Sequence, residues 1–288
     1  MRDLNYDLKR LGDRNRDGSY ATQANRSRML GQMADQLHEL GYKHLRAPEL
    51  KGRHVNALVE RWQEDGLSAA TIKNRMAALR WWAEKVGRAS VVARENAHYG
   101  IPDRAYVAQR SKAQELPLEA LVRVEDPHVR VSLQLQAAFG LRREEAIKLQ
   151  PSAADQADRL VLKASWTKGG RPRELPIRTE VQRAALGAAH ALAGKGSLIP
   201  GERTYIQQLK IYERHTARAG LSKLHGLRHA YAQDRYGELT GWPAPAAGGP
   251  PSRELSAEDR EVDRQARLTV SRELGHEREQ ITTVYLGR

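Results

Sequence analysis

The chain contains no cysteine among its 288 residues. Disulfide frameworks, thiolate catalysis and Cys-ligated zinc are therefore excluded. Phenylalanine occurs once, so leucine, alanine, valine and tryptophan must fill the core. No apolar run approaches the roughly 20 residues that span a bilayer. The polar stretch Met1 to Arg10 does not read as a signal peptide. A soluble, cytoplasmic protein with no membrane partner is expected. Neither an internal repeat nor a coiled-coil heptad is visible.

What the chain has in excess is positive charge. It carries 48 Lys+Arg against 35 Asp+Glu, a formal net charge of +13. That balance favours a polyanionic partner. The excess is shared: residues 1–110 hold 20 Lys+Arg against 13 Asp+Glu, and residues 111–288 hold 28 against 22. A basic tail on a neutral enzyme would not divide in this way, so both halves are expected to touch the polyanion.

Residues 1–18 are highly charged and lack periodicity, and a loose arm is expected there. Three amphipathic helical patterns follow, near 22–40, 48–64 and from Ser68, an N-cap residue, to about Val86. They bury Met29, Met33 and Leu37, then Val55, Leu58 and Trp62, then Ile72, Met76 and Leu79. The third helix also carries Lys73, Asn74, Arg75 and Arg80, which are either DNA contacts or a solvated face. A short fourth helix is expected near 91–97. These features define a small helical domain over 19–105 and a basic linker over 106–114. The second domain, 115–288, opens with helical patterns to Gln150. Arg159–Ser165 then alternates like a strand, Thr167-Lys168-Gly169-Gly170-Arg171 is a turn, and the chain returns over 172–177, placing Lys168 at the bend of a β-hairpin. Helices resume near 180–192, 205–219 and 226–237. A Pro/Gly-rich surface loop covers 237–252, and another helix starts near Ala257. The fold class is thus mainly α with one small β-hairpin, in a helical domain followed by an α+β domain.

Several residues of the second domain form a set able to transfer a phosphoryl group. Arg142 follows the apolar stretch 131–139, so it lies near a buried element and needs an anionic partner. Glu145 or a substrate phosphate can fill that role. His225 and Arg228, three apart on a helix, share a face and can reach one oxyanion. His229 points about 100° away, which suits packing. His276 follows Leu274-Gly275, a helix-ending signal, nine residues before Tyr285. Ile281 and Val284 are expected to anchor the short helix that carries Tyr285. In-line phosphoryl transfer needs charge stabilisation, a nucleophile and an acid for the leaving oxygen. Arg142 and Arg228 can clamp the phosphate, Tyr285 can attack, and Lys168, His225 and His276 can move protons.

The strings Gly140-Leu141-Arg142-Arg143-Glu144-Glu145, Thr167-Lys168-Gly169-Gly170-Arg171, His225-Gly226-Leu227-Arg228-His229 and Leu274-Gly275-His276 with Thr282-Thr283-Val284-Tyr285 closely resemble the tyrosine recombinase (phage integrase) family. The resemblance implies a core-binding domain over 19–105 and a catalytic domain over 115–288 that close on duplex DNA. It implies catalytic roles for Arg142, Lys168, His225, Arg228, His276 and Tyr285, support from Glu145, and DNA contact by Arg171. The activity implied is site-specific recombination of a mobile element through a covalent 3′-phosphotyrosyl link, with no metal, ATP or other cofactor. Four protomers on two sites would form the synapse, with a monomer or weak oligomer off DNA, accessory directionality factors, and residence at the nucleoid. A type IB topoisomerase or a catalytically silent DNA-binding regulator are the alternatives. Two departures from the family pattern stand out. The spacing of 51 residues from His225 to His276 is long for a compact member, and the chain stops at Arg288 with no further coupling segment expected.

Overall fold

A computed structural model describes residues 2–103, 106–167 and 169–288. The chain divides into two compact units, Met1–Ala105 and Tyr106–Arg288.

The first unit is built from α1 (Asp3–Arg14), α2 (Tyr20–Glu39), α3 (Gly52–Glu64) and α4 (Ala69–Lys85), with short 3-10 turns at Ala47–Glu49, Ala89–Val91 and Asn96–Tyr99. Ser19 and Ser68 start α2 and α4 by accepting the amides of Thr22 and Thr71, which satisfies a donor the helix itself cannot. Leu37, Leu58, Trp62, Leu79 and Trp82 are fully buried. Both indoles keep a partner for their N–H: Trp62 donates to Gln36 Oε1 at 2.9 Å and Trp82 to the Ala47 carbonyl at 3.0 Å.

The expected loose arm is instead α1. Leu4 and Leu8 are one turn apart and bury against α2. Asp7 accepts two hydrogen bonds from Arg46, at 2.7 and 2.8 Å. A three-leucine stripe embedded in charge is enough for a helix that has a surface to lie on. The region near 91–97 forms two 3-10 turns rather than a helix.

The second unit contains α5 (Leu118–Val122), α6 (Pro127–Phe139), α7 (Arg143–Lys148), α8 (Pro151–Ala154), β1 (Arg159–Leu162), β2 (Arg173–Pro176), α9 (Glu180–Ala193), α10 (Tyr205–Arg218), α11 (Gly226–Thr240), α12 (Ala257–Glu273) and α13 (Thr283–Leu286). The two strands pair antiparallel, with Arg159 opposite Pro176 and Leu162 opposite Arg173. Helix α6 packs against α7, α9 and α11 and carries the single phenylalanine, Phe139, to the centre of the core. Gly140 ends α6 at φ 59°, and a Cβ there would come within 2.6 Å of Tyr231 Cδ1. Glycine is required on both counts, and the reversal it makes delivers Arg142.

The 237–252 stretch is less of a surface loop than its composition suggested. Ala244 and Ala246 are buried, and 3-10 turns form at Pro245–Ala247 and Ser252–Glu254. Small residues let this segment pack closely on the domain. Among the described residues, no helix is long and apolar enough to cross a membrane.

Candidate active site

Arg142 sits at the N-cap of α7. Its amide donates to Glu145 Oε2 at 2.7 Å and its Nη1 to Glu145 Oε1 at 2.8 Å. The remaining amino group faces the site, with the Leu274 carbonyl and His276 Nε2 each 3.4 Å away. His276 Nε2 accepts when the ring proton is on Nδ1. The side chain of Arg142 is 20% exposed, so an anion from solvent can reach it.

Arg228, in the first turn of α11, is 1% exposed. Its Nε donates to the Tyr285 hydroxyl at 3.3 Å and its Nη1 to the Gly140 carbonyl at 2.5 Å, while Nη2 donates to the Leu274 carbonyl. No carboxylate hydrogen-bonds it among the described residues. Burial lowers its pKa to about 10; the Tyr285 oxygen opposes the shift, and Arg142 and Arg173 add to it. At neutral pH it remains a cation, hydrogen-bonded to neutral oxygens and favoured at longer range by the charge of Glu145.

His225, at the N-cap of α11, is exposed at the rim. The part of its ring that is desolvated, together with Arg228 and Arg142, lowers its pKa. His276 falls to about 4, first through burial and then through Arg142, Arg228 and Arg173. Both imidazoles are therefore neutral at pH 7 in the free protein, able to accept a proton. Tyr285 is 6% exposed, with its ring centroid 6.0 Å from that of His225 and 4.7 Å from that of His229. The expected anchor Ile281 is 37% exposed, whereas Leu286 is fully buried and secures α13 with Val284. Of the two expected anchors, Val284 therefore holds and Ile281 does not.

One neighbour was not singled out from the sequence. Arg173, on β2, grips both oxygens of Glu145 at 2.7 Å in a pair only 5% and 1% exposed. Burial opposes ionisation of Glu145, but hydrogen bonding and charge from Arg173, then Arg142, outweigh it and hold its pKa near 2. Glu145 is thus a fixed anion that aims Arg142. His229, expected to do packing work, is buried directly beside Tyr285. Burial, then His225 and Lys112, lower its pKa to about 4.

Of the remaining expected residues, Lys168 lies outside the described residues. Arg171 is exposed and pairs with Glu277 at 2.6 Å, next to His276. On α4, Lys73 is bound to Asp103 at 2.7 Å, and Arg80 to the Ala93 carbonyl and to Asn96 at 2.8 Å. Arg75 lies over the Trp62 ring, 5.3 Å from its centroid, with one buried Nη1 that has no partner. Asn74 is exposed.

The second unit thus gathers two guanidiniums, two neutral imidazoles and a phenol in one cluster, with Arg142 and His225 reaching solvent, an arrangement suited to a phosphodiester. The chain belongs to the integrase family of tyrosine-type site-specific recombinases. Residues 1–92 match the family model described as phage integrase, N-terminal, and residues 90–234 match the one described as integrase. The second match includes Arg142, His225 and Arg228 and stops short of His276 and Tyr285. The fold is similar to that of a lambda integrase dimer bound to a COC′ core site, with a TM-score of 0.60 and 15% identity over 98% of this chain and 94% of that one. It is also similar to the Tn1549 transposon integrase in complex with circular intermediate DNA, with a TM-score of 0.56 and 13% identity over 100% and 96%. The XerH site-specific recombinase bound to its difH substrate gives a TM-score of 0.54 and 16% identity over 98% and 80%. Comparison with curated protein sequences gives no match.

Proposed function

We propose that the protein cuts and rejoins duplex DNA at specific sites by forming a 3′-phosphotyrosyl link at Tyr285, using neither metal nor ATP. The observation that carries this reading is Arg228: a buried guanidinium with no carboxylate hydrogen-bonded to it among the described residues, touching the hydroxyl of a tyrosine. A buried charge left in that state has a high cost, and an incoming phosphate relieves it. That the lambda, Tn1549 and XerH proteins are DNA-bound in their structures supports DNA as the source of the phosphate.

Arg142 and Arg228 hold the non-bridging oxygens of the scissile phosphate. The Tyr285 oxygen attacks phosphorus, its proton passing to neutral His225, and the bond to the 5′ oxygen breaks. Lys168 protonates the departing 5′ oxygen, so one proton is lost by the phenol and one gained by the leaving hydroxyl. His276 donates to the phosphate. Attack by a 5′-hydroxyl of a second duplex reverses the steps, and the energy of the diester is conserved in the covalent link. Residues 19–105 serve as the core-binding domain and 115–288 as the catalytic domain. A homotetramer on two sites is the assembly this exchange requires.

The test uses a nicked duplex whose sequence is first selected by binding from a random pool. The wild-type protein in excess EDTA should form a covalent adduct on it, and Tyr285→Phe should bind the same DNA without forming one. Adduct from the phenylalanine variant, or adduct that requires added Mg²⁺, would refute the proposal. Relaxation of any supercoiled plasmid, without a required site, would instead indicate a topoisomerase.

A further inference from the structure

Arg267 and the 237–252 segment take no part in the chemistry above, yet both converge on the nucleophile's helix. We propose that Arg267 is a positioning residue: with Asp263 and the 237–252 segment it fixes where the Tyr285 phenol lies by gripping the carbonyl of Gly287. The proposal rests on Tyr285 being the nucleophile.

Helix α13 is a single turn of four residues. Helices that short have no stability of their own, so their placement must come from tertiary contacts. Three of its terminal carbonyls are held from elsewhere in the unit. The Ala108 amide donates to Thr283 O at 2.9 Å, Gln233 Nε2 to Tyr285 O at 2.9 Å, and Arg267 Nη1 to Gly287 O at 2.8 Å. Of the three donors, only Arg267 carries a charge, and it is 1% exposed.

The guanidinium is itself locked. Its Nε donates to Asp263 Oδ1 at 2.8 Å, one turn earlier on α12, and its Nη2 lies 3.4 Å from Ser252 Oγ. Asp263 also accepts from the Tyr236 hydroxyl at 2.5 Å and from Ser252 Oγ at 3.0 Å, and Trp242 Nε1 donates to the Tyr236 hydroxyl at 3.2 Å. Trp242 and Ser252 both belong to the Pro/Gly-rich segment, which therefore closes over the ion pair from its two ends. On the other side, Gly287 adopts φ 72°, and a Cβ there would lie 2.8 Å from Ala246 N and 2.9 Å from Ala108 O. Gly287 is thus packed closely between these two segments. A buried ion pair is weak evidence for stability, since apolar residues of similar volume often serve as well. Its value here is geometric. Gly287 is two residues from Tyr285, so a shift at its carbonyl passes to the phenol through one rigid turn.

The test measures the single-turnover rate of adduct formation on the nicked duplex, DNA affinity and the melting temperature. Wild-type protein is assayed first: DNA binding without adduct would overturn the assignment of Tyr285, on which the clamp depends. With adduct established, Arg267→Met should slow its formation by roughly 10²-fold, as a misplacement of about 1 Å does, at unchanged DNA affinity. Replacing the leaving 5′ oxygen with sulfur, which needs no proton, should not restore the rate, because the defect lies in the attacking group. Arg267→Lys should recover part of the rate, since an ammonium can reach Asp263 or Gly287 but does not span both. A wild-type rate in Arg267→Met, or full rescue by the sulfur substrate, overturns the proposal, as does a rate loss matched by lost affinity. Should Arg267→Met fail to fold, Ser252→Ala decides: it leaves the ion pair intact and should still slow adduct formation, and a wild-type rate there overturns the proposal.

Discussion

Arg228 and Arg267 are each 1% exposed, lie in the same unit, and are held in opposite ways. Arg267 has a carboxylate at 2.8 Å, a backbone carbonyl and a hydroxyl within reach. Arg228 has two backbone carbonyls and a phenol, with no carboxylate bonded to it among the described residues. The first arginine is complete as it stands, and its work is to hold other atoms in place. The second has neutral acceptors only, and under the proposed function the phosphate supplies the anion it lacks. Burial alone does not distinguish a structural cation from a functional one; the identity of its acceptors does.

The contrast can be broken most directly at Arg228. Arg228→Met should lower the adduct-forming rate by roughly 10² or more, as loss of a preorganised donor does, without lowering the melting temperature, because an unpaired buried charge has been removed. A large fall in stability would show that Arg228 is structural after all. The next largest effect should come from Glu145→Gln. It leaves Arg173 and Arg142 without their shared anion, at a cost of about 3 kcal/mol in unfolding free energy, read by denaturant titration. An unchanged midpoint would mean that the pair can be dispensed with.

The smallest effect is pH dependence. His229 and His276 have folded pKa values near 4 against an ordinary 6.5. Between those values the unfolded chain binds more protons, so stability is fully present above pH 6.5 and declines as pH falls towards 4. Glu145, near 2 against 4.5, adds a second decline below pH 4.5. Melting temperatures across this range should fall in two stages, and His229→Gln should flatten the first. A flat profile from pH 6.5 to 4 would refute the neutral-imidazole picture.

Much of the site was legible because its members lie in short local patterns. Arg142 beside a helix-ending glycine, His225 and Arg228 three apart, and His276 after Leu274-Gly275 each leave a trace in adjacent letters. Arg173 and Arg267 leave none. Arg173 occupies an inward strand position where an apolar residue is the usual expectation, and only its pairing with Glu145, 28 residues away, makes an arginine tolerable there. Arg267 looks like any cation in a charged helix until Gly287 and Ser252 are placed against it. The helix over Asp3–Arg14 was missed for a related reason, since its leucines acquire meaning only when α2 supplies a surface. Polar partners far apart in sequence are set by packing, which periodicity does not report.

The grip on α13 has one more consequence. Apart from the contact of Arg228 with the phenol itself, the donors that hold it from a distance among the described residues reach main-chain oxygens, at Thr283, Tyr285 and Gly287. Main-chain oxygens are common to all amino acids. Apolar exchanges at Val284 and Leu286 that keep their packing should therefore leave the grip intact, provided the turn survives and Gly287 keeps its positive φ.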